Sequence, residues 1–213
     1  MSYQGPIERK DALPQQFKGG LVEGANIRTP CGLRRIEIIR PGDLVVTRAN
    51  GLQPVQMVWK RTLTREQIER HPDLAPIRLK PRAIGPMMPQ RDLLVAPDHR
   101  LLIPGFRLAG LPADQCVLAE ARELSGLSDD VHTDTSMESV SFFQLVFDCH
   151  QVFAANGLPV ESFLPDATGV MQLDSTHHGA LVDRFPELAT NPMSFPPSAY
   201  RIERNVEYLP FLA

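Results

Sequence analysis

The sequence predicts an all-β protein built from short antiparallel strands. Its 20 prolines and 14 glycines are spread along the 213 residues instead of clustering, which is typical of many strands separated by turns. Three strand-like runs within residues 33–59 are separated only by the turns Pro41-Gly42 and Asn50-Gly51. Connections this short join antiparallel neighbours, because a parallel crossover needs about a dozen residues or more.

The other elements follow from alternation and capping signals. Residues 64–70 are predicted to form a short helix, because Thr64 and Gln67 have the spacing of a capping box and Pro72 follows. Residues 117–124 are rich in helix formers and are predicted as a second short helix. Further strand-like runs lie at residues 77–80, 137–147 and 151–155.

The chain divides into a leader, one folded domain and a tail. Residues 1–19 are polar and are predicted to be a flexible leader. Residues 20–165 carry the strand signals and form the predicted domain. Residues 166–213 lack clear periodicity and are expected to be an irregular tail packed on the domain. Aromatic side chains expected to dock in apolar grooves are Phe185, Phe195, Tyr208 and Phe211.

Composition argues against several classes of partner. A net charge of −3 and a pI near 6.1 give no electrostatic reason to expect nucleic acid or an anionic membrane. Residues 1–10 lack the apolar core of a signal peptide, and no run approaches a membrane span, so we expect a cytoplasmic protein as encoded, with leaderless secretion left open. Three widely spaced cysteines fit reduced thiols.

One turn stands out as a place for chemistry. Residues 93–95 read as a buried strand, Pro97-Asp98 makes a corner, and His99 follows before another apolar run. Histidine is the commonest general acid or base, although a histidine in such a turn often only bonds its own backbone. His99 is therefore the first candidate catalytic residue.

Four separated blocks of sequence together resemble one family. They are Gly24-Ala25-Asn26-Ile27-Arg28-Thr29-Pro30-Cys31-Gly32, Arg40-Pro41-Gly42-Asp43-Leu44-Val45, Leu94-Val95-Ala96-Pro97-Asp98-His99-Arg100 and residues 147–157. The chain resembles the Hint domains shared by hedgehog proteins and inteins, and especially the bacterial Hint subfamily. That subfamily carries an R-D-L-L-V-x-P-x-H-R block, matched by residues 91–100, and ends in A-N-G-x-x-x-E-S-F-x-P, matched by residues 155–165.

The resemblance implies a compact Hint fold of curved strands with pseudo-two-fold symmetry and an autoprocessing chemistry. In the family, a Cys or Ser at the first position of the domain attacks the preceding carbonyl and converts a peptide bond into a thioester or ester. This chemistry needs a preplaced nucleophile, an imidazole that protonates the leaving nitrogen, and a hydroxyl that holds the bond distorted. His99 falls on the imidazole position, and Asp148 and His150 fall in the family's second histidine block.

The sequence departs from the family pattern at the positions that carry the reaction. Gly20 occupies the nucleophile position, and Ala96 stands where the family has Thr or Ser. Inteins release themselves with a His-Asn pair, and this chain has Glu161-Ser162 in its place. The bacterial relatives also lack the His-Asn pair. The predicted site is therefore a vestigial one formed by His99, Asp148 and His150.

Other candidates for a nucleophile or a metal site stay open at this point. Cys31 or Cys149 is an alternative nucleophile, set against the ordinary role of free cysteine as a small buried residue. Asp174 with His177-His178 is the only tract that suggests metal, and adjacent histidines on a tail are more often solvated. We expect no metal and no cofactor.

Two functional hypotheses follow from these residues. The first is a Hint-family protein impaired in autocatalytic cleavage, a pseudoenzyme that acts as a binding or accessory module for an unknown protein or peptide. The second is an enzyme with residual or altered autoproteolytic cleavage by an acyl shift, assisted by His99. The distance between the Gly20 backbone and the His99 ring is the observation that bears most directly on both.

Overall fold

A computed structural model describes residues 17–171, 173–191 and 194–209. Its strands are β1 (Leu21–Val22), β2 (Asn26–Thr29), β3 (Gly32–Arg35), β4 (Leu44–Thr47), β5 (Gly51–Pro54), β6 (Met57–Thr64), β7 (Ile77–Leu79), β8 (Leu93–Val95), β9 (Arg100–Pro104), β10 (Cys116–Glu120), β11 (Val131–Thr133), β12 (Ser139–Val146), β13 (Val152–Ala155) and β14 (Leu158–Glu161). The α-helices are α1 (Arg65–Arg70), α2 (Ala167–Met171), α3 (Ser175–Arg184) and α4 (Glu187–Thr190).

The strands form two antiparallel sheets. One sheet has the order β11-β7-β8-β1-β12-β6, and the other has the order β10-β9-β14-β13-β2-β3 with the β4–β5 hairpin attached to β13. The short strand β1 lies between β8 and β12, where Leu21 pairs with both Val95 and Phe143. The start of the domain is therefore held in the middle of a sheet.

The main core lies where the inner faces of the two sheets meet. It takes Leu21, Val95 and Leu145 from the first sheet and Ile27 and Val160 from the second, each no more than 1% exposed. Burying a side chain of this size contributes about 1.5–3 kcal/mol, so this core fixes the register of both sheets. Register in turn fixes the placement of the turn that follows β8.

The predicted all-β class is confirmed, and so is the first predicted helix. Thr64 accepts the backbone N–H of Gln67, and the Gln67 side chain accepts the backbone N–H of Thr64, which completes the predicted capping box of α1. The helix predicted at residues 117–124 is wrong. Residues 116–120 form β10 instead and pair with β9 along its length.

The ends of the chain also differ from expectation. The segment predicted as an irregular tail contains α2, α3 and α4. At the other end Phe17, predicted to lie in a flexible leader, is only 3% exposed. Residues 1–16 of that leader, and Phe211 of the tail, lie outside the described residues.

Candidate functional site

The peptide bond between Gly19 and Gly20 lies at the entrance to β1. The Gly20 carbonyl accepts the backbone N–H of Ala96 at 2.8 Å, which ties the peptide to the end of β8. Both glycines are buried. This peptide is the one that the family resemblance marks as the processing junction, and the fold places it directly beside the histidine turn.

His99 reaches this peptide through the turn Ala96-Pro97-Asp98-His99. The His99 N–H donates to the Ala96 carbonyl at 3.0 Å, and Pro97 occupies the second position, where its fixed backbone angle favours the turn. The ring is fully buried, and its Nδ1 accepts the Gly20 N–H at 3.0 Å. The imidazole is therefore in hydrogen-bond contact with the nitrogen that an autoprocessing reaction would release.

Burial keeps the imidazole neutral. It lowers the pKa of His99 from 6.5 to about 4, and the nearby charges of Glu161 and Asp98 oppose this shift only in part. Because Nδ1 accepts a hydrogen bond, the ring proton is assigned to Nε2, which has no hydrogen-bond partner among the described residues. In this tautomer His99 cannot donate to the Gly20 nitrogen until a proton reaches Nδ1.

The carbonyl side of the same peptide meets a buried cation. The Arg61 guanidinium on β6 donates from Nη2 to the Gly19 carbonyl oxygen at 3.2 Å. Its side chain is 14% exposed and lies over the rings of Phe17 and Phe142, at 5.3 and 4.9 Å from their centroids. The Asp98 carboxylate lies 3.9 Å from the same guanidinium.

Two further contacts fix the chain before the peptide bond. Asp98 Oδ1 accepts the Gly19 N–H at 3.1 Å, and the Gln144 side chain on β12 donates to the Lys18 carbonyl at 3.4 Å. Together with the contacts from His99 and Arg61, hydrogen bonds therefore hold the Gly20 nitrogen, the Gly19 oxygen and the residues just before the peptide bond. These contacts fix the position of the Gly19–Gly20 peptide bond.

A side chain at either glycine of the junction would be crowded in the observed conformation. Gly19 has φ +72°, and a Cβ there would lie 2.9 Å from His99 Nδ1. Gly20 has φ +120°, and a Cβ there would lie 3.0 Å from the Phe142 Cβ. The nucleophile position has therefore adopted a backbone geometry that suits glycine.

Ala96 lies in an apolar environment. Its side chain is fully buried in a cluster that includes Val22, Val140 and Phe142. The position at which the family carries a hydroxyl is thus filled by hydrocarbon contacts.

His150 lies in a buried polar group behind the histidine turn. Its Nε2 lies 3.4 Å from Glu161 Oε2, and Glu161 also accepts the Arg100 guanidinium and the Arg100 N–H, each at 3.1 Å. Burial opposes ionisation of Glu161, but the hydrogen bond from His150 and the charge of Arg100 outweigh it, so the Glu161 pKa lies below its ordinary value. The charge of Glu161 also acts on His99, where it raises the pKa against the larger effect of burial.

Asp148 and the cysteines are placed elsewhere. Asp148 is exposed and bonds Gln56 at 2.9 Å and Arg184 of α3 at 2.6 Å, a placement that differs from the predicted role beside His99. Cys31 is exposed in the turn between β2 and β3, and Cys149 accepts a hydrogen bond from Gln151. The structure brings His99 and Gly20 together and leaves Asp148 at the surface.

The tract that suggested metal has a structural role. Asp174 caps α3 by accepting the His177 N–H at 2.8 Å, and the His177 ring packs against Phe17 and Trp59. Across residues 17–171, 173–191 and 194–209, no group of three metal-ligating side chains occurs. In the same part of the chain no helix is long and apolar enough to span a membrane.

An apolar cluster joins the tail to the segment before the junction. This tail cluster is formed by Phe17, Trp59, Val146, Phe163, Val170, Leu181, Phe185, Leu188 and Phe195. Phe17 lies 5.9 Å from Trp59 and 5.5 Å from His177, centroid to centroid. Residues of α2, α3 and α4 therefore help to hold the chain two residues upstream of Gly19.

A small polar cavity adjoins the site. Its lining includes Lys18, Asp98, Gln144 and Glu161, and its volume is about 20 Å³. A cavity of this size has room for about one water molecule. A separate open depression of about 530 Å³ is lined by residues that include Arg28, Leu33 and Arg91.

Comparison with known sequences identifies the class of protein to which this fold and site belong. The family model described as Hint domain matches residues 20–167. The chain belongs to the Hint domain family, as the sequence blocks predicted. A comparison with curated proteins found no match.

Solved structures of inteins are similar in fold. The DnaB intein from Synechocystis sp. PCC 6803 is 14% identical, with 69% of this chain and all of that chain covered and a TM-score of 0.43. The bacterial intein-like domain from Clostridium thermocellum is 17% identical, with coverage of 67% and 98% and a TM-score of 0.39. The gp41-1 intein is 14% identical at the same coverage, with a TM-score of 0.38.

Three groups in the site were not predicted, namely Arg61, Phe17 and Glu161 as the partner of His150. A signal for Arg61 is present in the sequence, because alternation along β6 places it on the same face as Trp59 and Leu63, which are buried. Phe17 stands alone in a polar stretch, and its partners Trp59 and His177 are distant in sequence. No local pattern marks it as buried.

Proposed function

We propose that this Hint-family protein is impaired in autocatalytic cleavage and acts as a folded binding or accessory module. The observation that carries the proposal is the environment of the Gly19–Gly20 peptide. Its nitrogen is bonded to His99 and its oxygen to Arg61, yet residue 20 has no side chain that could attack the Gly19 carbonyl. A Hint domain without a nucleophile at this position is a pseudoenzyme.

Burial of the junction also supports impaired cleavage, because it limits the access of nucleophiles from solution. Gly19 and Gly20 are enclosed, and the adjoining cavity has a volume of about 20 Å³. That is room for about one water molecule but not for a thiol reagent. A small thiol in solution is therefore kept from the Gly19 carbonyl while the domain stays folded.

A binding role has a suitable surface away from the junction. The open depression of about 530 Å³ is lined by Arg28, Arg91, Gln90 and the apolar Leu33. None of the described residues that line it is acidic, so its charge favours an acidic peptide segment of a partner protein. Binding of such a partner should weaken on Arg28→Ala or Arg91→Ala.

Residual autoproteolysis is the second candidate function, and one specific observation favours it. His99 Nδ1 accepts the Gly20 N–H at 3.0 Å, which places it within reach for general acid catalysis of amide cleavage once Nδ1 carries a proton. A water molecule in the small cavity would then take the place of the missing side chain. Addition of water to the Gly19 carbonyl, with a proton passed to the Gly20 nitrogen, would release residues 1–19 as an acid.

The intact mass of the full chain distinguishes the two functions. The protein is incubated near neutral pH for several days, alone, with dithiothreitol and with hydroxylamine. We expect one unchanged mass in all three samples, because no group in the site attacks the Gly19 carbonyl.

A fragment that begins at Gly20, and that disappears in His99→Ala, would establish the second function and contradict the first. The matched control is His71→Ala, since His71 is the C-cap of α1 and its backbone hydrogen bonds join it to Gln67 and Leu74. A fragment that persists in both histidine variants would come from a contaminating protease.

A further inference from the structure

The geometry points to Arg61 as the group that polarises the Gly19 carbonyl. In the family, a hydroxyl at the position occupied here by Ala96 would serve this purpose. The inference deepens the proposed function, because it takes Gly19–Gly20 as the vestigial processing junction. It concerns a residue that no family block contains, since Arg61 lies on β6, outside all four.

The first support is the contact itself. Arg61 Nη2 lies 3.2 Å from the Gly19 oxygen, and the Gly20 nitrogen of the same peptide lies 3.0 Å from His99 Nδ1. A cation on the oxygen lowers the barrier to attack on the intervening carbon, and an imidazole beside the nitrogen lowers it further once it is protonated at Nδ1.

The second support is how the guanidinium is held. It is 14% exposed and lies over the rings of Phe17 and Phe142, so its position is set by two aromatic faces. Its Nε has no hydrogen-bond partner among the described residues. An unsatisfied donor costs about 1–3 kcal/mol, so a purely structural arginine would be expected to use its donors more fully.

The third support is the chemistry around Ala96. That side chain is fully buried, carries no hydroxyl, and belongs to a hydrophobic cluster with Val22, Val140 and Phe142. The hydrogen bond to the Gly19 carbonyl oxygen comes instead from Arg61 on β6, whereas the turn after β8 contacts the Gly19 and Gly20 N–H groups and the Gly20 carbonyl. The absence of a hydroxyl at residue 96 would then not by itself prevent cleavage, and the missing nucleophile at residue 20 would be the cause of the lost activity.

Carbonyl carbon chemical shifts of the native chain test this role without any cleavage. In the ¹³C,¹⁵N-labelled protein, Arg61→Met should move the Gly19 carbonyl resonance upfield, because the hydrogen bond from the cation is lost. Arg61→Lys, which keeps the charge, should recover part of the shift. The matched control is Lys60→Met, since Lys60 is exposed on the opposite face of β6 and should leave the resonance in place.

A second readout separates polarisation from mere packing. The scalar coupling across the Gly20 N–H to His99 Nδ1 hydrogen bond reports whether the peptide is still seated. Retained coupling with an upfield carbonyl shift supports the inference. An unchanged carbonyl shift in Arg61→Met, or loss of the coupling in both Arg61 variants, would overturn it and leave Arg61 as a structural clamp.

The outcome is independent of the mass experiment on the wild-type protein. A wild-type chain that cleaves itself contradicts the proposed loss of activity but leaves the Arg61 contact standing. A chain that stays intact and shows no effect of Arg61 on the Gly19 carbonyl keeps the proposed function and removes the inference.

Discussion

The buried environment of His99 has a measurable consequence for the stability of the fold. The ring is fully buried, and burial lowers its pKa from 6.5 to about 4. The unfolded chain therefore binds a proton at this residue between these two pH values, while the folded chain does not. Stability from this group is complete above pH 6.5 and is lost as the pH falls towards 4.

We expect this loss to be visible in chemical denaturation as a function of pH. A shift of this size corresponds to a fall on the order of 3 kcal/mol in the free energy of unfolding across the window. His99→Gln should show a flatter dependence between pH 6.5 and 4, whereas His71→Gln should follow the wild type. Equal slopes in wild type and His99→Gln would show that His99 is not held neutral. Asp134, whose pKa is lowered to about 2, acts only below this window.

Residue-level reasoning from the sequence found His99, Gly20 and Ala96 but not the groups that contact them. His99 was marked by its turn and by the family block, both of which are local patterns. Arg61 and Glu161 act across the sheets, and their contacts depend on strand register that no single block encodes. Asp148 was selected for its position in a block, and the structure gives it a surface ion pair with Arg184.

At the scale of elements, the helices of the tail are part of the site. Leu181 of α3 is fully buried in the tail cluster, which also contains Phe17. Because Phe17 lies two residues before Gly19, packing of α3 restrains the approach to the junction. The tail cluster thus couples an element near the carboxyl end of the chain to the peptide bond at the start of the domain.

Leu181→Ala tests this coupling by amide hydrogen exchange. Truncating a buried leucine costs about 2–5 kcal/mol, and a loss of 1.4 kcal/mol corresponds to a tenfold faster opening. We expect exchange of the Gly20 amide to accelerate at least tenfold together with the amides of α3. Asp183→Ala, an exposed position on the same helix, is the control and should leave Gly20 unchanged. Faster exchange in α3 without any change at Gly20 would show that the two are independent.

The elements that the sequence mispredicts share a physical cause. Residues 117–124 have helix-forming composition, yet residues 117–119 are buried on both faces of β10 and pair with β9. Tertiary pairing outweighs a preference of a few tenths of a kcal/mol per residue. The helix α1 was predicted correctly because its signal, the Thr64–Gln67 capping box, is local.

At the scale of the whole molecule, the sequence predicted the fold class because two sheets of short strands leave an alternating pattern and frequent turns. The Hint family assignment rested on four blocks, and the family model covers residues 20–167. The order of strands in the sheets, with β1 between β8 and β12, was not predicted, since such pairings join residues far apart in sequence. That order is what brings His99 and the Gly19–Gly20 peptide together.

On the proposed function, the site around the Gly19–Gly20 peptide lacks only a nucleophilic side chain at residue 20. Replacing Gly20 with Cys supplies this side chain and so tests whether its absence prevents cleavage. In Gly20→Cys the thiol sulfur would bond to the Gly19 carbonyl carbon, the carbon–nitrogen bond would break, and the thiol proton would pass to the released amine. In the thioester the Gly19 carbonyl is bonded to the sulfur of residue 20 and no longer belongs to the enclosed backbone peptide, so added thiol can reach it, cleave the thioester and free residues 1–19. The new side chain requires the Phe142 Cβ to yield by a few tenths of an ångström and the backbone of residue 20 to relax from its φ of +120°.

The intact mass of folded Gly20→Cys after incubation with dithiothreitol is therefore the most direct test of the central claim. We expect cleavage between residues 19 and 20, with Ala96 unchanged, and no cleavage in the Gly20→Cys/His99→Ala double variant. A Gly20→Cys protein that keeps the wild-type circular dichroism spectrum and the unfolding midpoint within a few degrees, yet stays intact for days, would contradict it. The missing nucleophile would then not be what separates this chain from an active Hint domain.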